Sequence, residues 1–140
     1  MARDPPLGYT TPPFPSLGIK DIADFTPGRR HSLFYLSDVW LFTVLWTLIV
    51  YAAFHLGAVV VACFMHSWNK SSWKSVWLIL IPYLVIAGVE AVLAGTIVGL
   101  IVGAVYRAGY YEMNTWIPFT WAFISVLVLI ISSFAIQGGL

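Results

Sequence analysis

Positions 39–65 hold no Asp, Glu, Lys or Arg, and two further apolar runs follow at 76–106 and 116–136. At 1.5 Å per residue the first run is about 40 Å long, enough to cross about 30 Å of hydrocarbon with some tilt. Short polar stretches separate the runs. Residues 66–75 include Asn69, Lys70, Lys74 and four serines, and between 107 and 114 the charges are Arg107 and Glu112. The pattern predicts an all-α membrane protein, three transmembrane helices in a small bundle over 33–140. The second run contains Pro82 and Gly88, but a break there would leave two spans of about 15 residues, each too short.

Residues 1–32 differ in kind. Five of the eight prolines fall in the first fifteen positions, and Thr11-Pro12-Pro13-Phe14-Pro15 favours extended geometry, because proline fixes φ and removes a donor. The segment is expected to be a mobile or extended tail. Leu17, Ile19, Ile22 and Phe25 recur at near-helical spacing before Pro27-Gly28, which predicts a short interfacial helix at 16–25. No cleaved signal is expected.

Composition fits this division. Of 140 residues, 60% are hydrophobic and 9% charged, against about 45–50% and about 25% in soluble domains, which excludes a water-soluble globule. A net charge of +1 offers no basic surface for a phosphate backbone, so nucleic acid is excluded as a main partner. Aromatic residues gather at the run ends: Trp68, Trp73, Trp77 and Tyr83 around the first loop, and Tyr35, Trp40, Tyr106, Tyr110, Tyr111, Trp116 and Trp121 at the other side. This is the belt expected at headgroup level.

Two features of the second span stand out. Ala87, Ala91, Gly95, Gly99 and Gly103 form a row at i, i+4 spacing, a surface for close helix packing. Glu90 lies nine residues before Gly99, a half-turn offset, so it points away from the glycines. Span two therefore has two faces unsuited to lipid, which puts it in the middle of the bundle or hands one face to another protein. An ionised carboxylate in hydrocarbon costs about 2.5–3.5 kcal/mol on insertion scales, so Glu90 is protonated, paired or wetted. His55, at a depth of about 15 Å against about 20 Å for Glu90, is its candidate partner, about one helical turn away. The His55–Glu90 pair reads either as a buried contact locking two helices or as part of a proton relay extended through Thr43, Thr47, Thr96, Ser125 and Ser132.

Tyr106, Arg107 and Glu112 belong to the interface, where a long side chain snorkels to phosphate. The sequence holds no G-x-S-x-G elbow, no phosphate-cradling loop, no cysteine pair beside Cys63 and no H-E-x-x-H. His31, His55 and His66 lack the i, i+3 or i, i+4 spacing of a helical metal site. No catalytic residue, metal site or cofactor is expected.

Gly103-Ala104-Val105-Tyr106-Arg107-Ala108-Gly109, then Glu112-Met113 and Ile117-Pro118-Phe119, with Trp40, Leu45-Trp46 and Phe54-His55 upstream, resemble the transmembrane protein 170 family of small three-span eukaryotic membrane proteins. The resemblance covers about residues 38–136. It implies a non-enzymatic protein of the endoplasmic reticulum membrane and nuclear envelope that organises or shapes membranes. It also implies an accessory subunit beside a larger, bridge-like lipid-transfer protein. Lys20, Arg29, Arg30 and Arg107 on the amino-terminal side, against Lys70 and Lys74 on the other, favour a cytosolic amino terminus, whereas the resemblance implies a lumenal one. The expected partners are membrane lipids and a larger membrane or lipid-transfer protein, or a second copy. The alternative is a small proton-coupled carrier or channel subunit centred on Glu90.

Overall fold

The computed structural model of the chain describes residue 5 and residues 7–17, 32–66 and 73–137. The interfacial helix expected at 16–25 lies almost wholly outside the described residues, as does most of the first loop. Helix α1 spans Leu36–His66, α2 Trp73–Ala108 and α3 Trp116–Gln137; the two-residue strands β1 (Ser32–Leu33) and β2 (Met113–Asn114) precede α1 and α3. All three helices are long and apolar enough to cross a membrane. Their ends lie within three residues of the runs read from the sequence, and α2 continues through Pro82 without a break.

The helix ends have local causes. Tyr35 O accepts from Asp38 N and Val39 N, both at 3.1 Å, and Asp38 places negative charge at the positive end of the α1 dipole. At the other end of α2, Tyr111 N donates to Tyr106 O at 3.1 Å while Tyr110 turns the chain at φ 57°, the left-handed conformation that commonly closes a helix. Asn114 Oδ1 then accepts from Trp116 N at 3.1 Å, and Pro118 sits in the first turn of α3, where its missing N–H has no partner to lose. β1 pairs antiparallel with β2, Ser32 opposite Asn114 and Leu33 opposite Met113, so α1 and α3 start from one clasp.

Helix α1 is the central element: α2 packs along it closely, α3 packs along another of its faces, and α2 and α3 touch at only a few points. The α1–α2 seam is built on the glycine row. A Cβ on Gly95 would stand 2.9 Å from Val44 Cα and 3.1 Å from Thr47, and one on Gly99 would stand 3.2 Å from Trp40 Cα and 3.1 Å from Thr43. Gly103 faces Leu36 and Val39. Thr43 and Thr47 are fully buried in this seam, and their hydroxyls donate to Val39 O and Thr43 O at 2.7 Å, so neither hydroxyl is left unbonded. Toward α3, Trp46, Val50 and Tyr51 pack with Ala91, Ala122 and Val126. The outer faces carry large apolar side chains, Leu78, Ile79 and Phe134 among them, as a lipid-facing surface requires.

The segment expected to be mobile or extended lies against the bundle over residues 7–17. Phe14 meets Phe42 edge-on at 5.4 Å and lies tilted against Trp46 at 5.2 Å. Tyr9 Oη donates to Ser32 O at 2.9 Å, Thr11 Oγ1 to Asp38 Oδ2 at 2.7 Å, and Thr115 Oγ1 to Ser16 O at 2.8 Å. Proline stiffness explains why a segment without regular structure can stay there: less conformational entropy is lost on docking.

Candidate functional site

Midway along the bundle, the α1–α2 seam turns polar. The register set by the glycines falls by four on α1 for every four gained on α2, and carried toward the first loop it brings Tyr83 to His55 and Glu90 to Tyr51. The His55 ring stands 5.5 Å from the Tyr83 ring and lies nearly parallel to Tyr51, 5.8 Å away at 18°. His55 Nδ1 is 2.8 Å from Tyr51 O. A carbonyl only accepts, so Nδ1 carries a proton and donates to Tyr51 O. Glu90, half-buried, interacts electrostatically with Tyr51. Expected as a direct pair, His55 and Glu90 share no hydrogen bond or ion pair among the described residues; each instead lies near Tyr51, His55 through its ring and Nδ1 and Glu90 through its charge. The physical reason is the glycine contact, which sets the two helices about one turn out of step for that pair.

Beside this cluster lies a groove of about 380 Å³ between α2 and α3, with Tyr51 at its base, Ala94 and Val98 on the α2 wall and Trp121, Ser125 and Val128 on the α3 wall. Glu90 is not part of this lining, but it precedes Ala94 by one turn, which places it on the side of α2 that carries the groove wall. The groove is predominantly apolar. Ser125 and Ser132 line it, but their hydroxyls donate back to Trp121 O and Leu129 O, both at 2.9 Å.

The remaining expected residues fall into two places. Ala91, Gly95, Gly99 and Gly103 are buried against α1. Tyr106 packs beside Leu33, Val39, Phe42, Val102 and Met113, Arg107 lies exposed in the last turn of α2, and Glu112 is half-buried just before β2. Thr43 and Thr47, candidates to extend a relay, sit on the seam with their hydroxyls turned to their own helix. Tyr51 and Tyr83 were missed as members of the cluster. Both were within reach of periodicity: Tyr51 is i−4 from His55 and Tyr83 is i−7 from Glu90, each on the same helix side as its partner. Among the described residues, no group of three or more His, Cys, Asp or Glu is arranged to hold a metal ion.

Comparison with known proteins adds the lineage. The family model described as Transmembrane protein 170A/B-like matches residues 32–140. The chain is 35% identical over 142 residues to the uncharacterized protein YPR153W of Saccharomyces cerevisiae, covering 98% of this chain and 94% of that one. No solved structure matches the chain.

Proposed function

This chain belongs to the transmembrane protein 170A/B-like family, and from that premise we propose that it is a non-enzymatic subunit of the endoplasmic reticulum membrane and nuclear envelope. It organises membranes there as an accessory to a larger lipid-handling protein of the bridge-like lipid-transfer type. The observation that carries this reading is the arrangement of α2: its glycine face is spent on α1, while the side that carries Glu90 and, one turn on, Ala94 borders an open groove. A membrane protein that keeps a carboxyl on such a surface is built for assembly within the bilayer, where polar side chains act as contacts between helices. Purification in mild detergent, followed by identification of what co-purifies, tests it. A stoichiometric lipid-transfer protein is the expected result. A chain that purifies alone and reshapes liposomes by itself would refute the accessory role.

A second reading, a proton-coupled carrier or channel subunit, draws on the sequence of titratable side chains Glu90, Tyr51, His55 and Tyr83 along one seam. Reconstitution in liposomes decides it. Proton or ion flux that is lost with Glu90→Gln would favour the carrier; equal leak from both proteins would sink it.

A further inference from the structure

We propose that the groove between α2 and α3 receives a single transmembrane helix of a different protein, and that this helix carries a hydrogen-bond donor, a Lys, Arg, His, Asn or Gln, placed against Glu90. The inference rests on the accessory-subunit reading and names the surface and the chemistry of its partner. The three helices hold two cationic side chains other than histidine, Lys74 and Arg107, one at each end of α2 and about 24 and 25 Å along its axis from Glu90. Neither reaches the carboxyl. Its neighbour Tyr51 is a phenol, a weak donor and no counter-ion. An acidic side chain in a span is expected to face a partner or water, and this one lies one helical turn before Ala94, which with Val98 forms the α2 wall of the groove. A short side chain such as Ala94 lets another backbone come close.

Other occupants lack the matching group. An acyl chain has no donor, and lipid headgroups sit about 15–20 Å above the level of Glu90. A second copy of this chain would bring His55 as its one mid-membrane cationic donor, and that ring already stands between Tyr51 and Tyr83 with Nδ1 engaged. A foreign helix with its own donor satisfies both the carboxyl and the groove.

The test uses the full chain in native membranes with a photocrosslinking amino acid at Val98 or Val128 in the groove, and at Val89, nine residues from Val98 and so on the opposite side of α2. The expected adducts from both groove positions map to one apolar segment of about 20 residues that contains a donor side chain, while Val89 gives no adduct with that segment. Glu90→Ala should lower the groove adducts at least tenfold. Ala94→Leu, which fills the groove and keeps the carboxyl, should do the same. Adducts with lipid alone, with a peptide of this same chain, or at a yield indifferent to Glu90→Ala would overturn the inference. If a lipid-transfer protein still co-purifies while the groove gives no protein adduct, the groove assignment fails and the accessory role stands; if nothing co-purifies, the accessory role itself fails.

Discussion

Replacing Gly95 by alanine adds one carbon directly against the backbone of the facing helix. That carbon would lie 2.9 Å from Val44 Cα and 3.1 Å from Thr47, whereas carbon pairs settle at about 3.5–4.0 Å. Val44 Cα is backbone and cannot rotate aside, so α1 and α2 must part locally by about 0.6–1 Å. A gap of that size forfeits a quarter to a half of the attraction at neighbouring contacts, and overpacking of this kind costs about 1–3 kcal/mol. Alanine also gains about 0.8–1 kcal/mol of helix propensity over glycine, which would mask part of the loss. Gly88 supplies the correction: it lies on the same helix with nothing within 4 Å of its Cβ position, so Gly88→Ala carries the propensity gain alone. The difference between the two variants isolates the seam and should be about 1–3 kcal/mol. Unfolding of the purified chain in mixed micelles, followed by helicity and tryptophan fluorescence, measures it. If Gly95→Ala and Gly88→Ala agree within about 0.5 kcal/mol, the spread of an ordinary surface substitution, the glycine row does not set the helix contact and the register argument falls with it.

Phe14→Ala removes a half-buried ring from between Phe42 and Trp46, about half of the 3–5 kcal/mol of a fully buried phenylalanine; protease cleavage within residues 7–17 should rise, and unchanged cleavage would show that the segment is not held by this ring. Burial, reinforced by the charge of Asp38, raises the Tyr9 phenol above its ordinary 10.0. Its contribution to holding the segment is complete below pH 10 and is lost as pH climbs through the raised value, so phenolate absorbance and protease sensitivity should increase together there. Thr11→Val deletes the hydroxyl donated to Asp38 and, at an exposed site, should cost about 1 kcal/mol or less; a larger loss would mean the contact does more than tether. For orientation, a glycosylation acceptor fused before Met1 should be modified if the amino terminus is lumenal, as the family resemblance implies, and left unmodified if the excess of Lys and Arg on that side governs insertion.

The apolar runs placed the three helices to within three residues at each end, because hydrocarbon imposes a length and forbids charge, and both constraints are local in sequence. The glycine row was legible for the same reason, since four-residue spacing places side chains on one stripe. What escaped was relational. Tyr83 reads as part of the aromatic belt until the contacts at Gly95 and Gly99 fix how far α2 slides along α1; that slide sends His55 to Tyr83 and Glu90 to Tyr51. Span two, expected as a candidate for the middle of the bundle, lies to one side instead, because the clasp of Leu33 with Met113 starts α3 beside α1 and makes α1 the central helix. The docking of Phe14 and Tyr9 depends on ring contacts made across 28 and 25 positions, to Phe42 and Phe34, and periodicity carries no signal at that range.

Native mass spectrometry of the wild-type chain and Glu90→Ala, both extracted from native membranes in mild detergent, tests the central claim most directly. A stoichiometric complex of the wild-type chain with one larger membrane-spanning protein is expected, with most of that complex lost in Glu90→Ala while the variant keeps its helicity. A wild-type spectrum of the bare chain alone, or a complex equally abundant with Glu90→Ala, would contradict it.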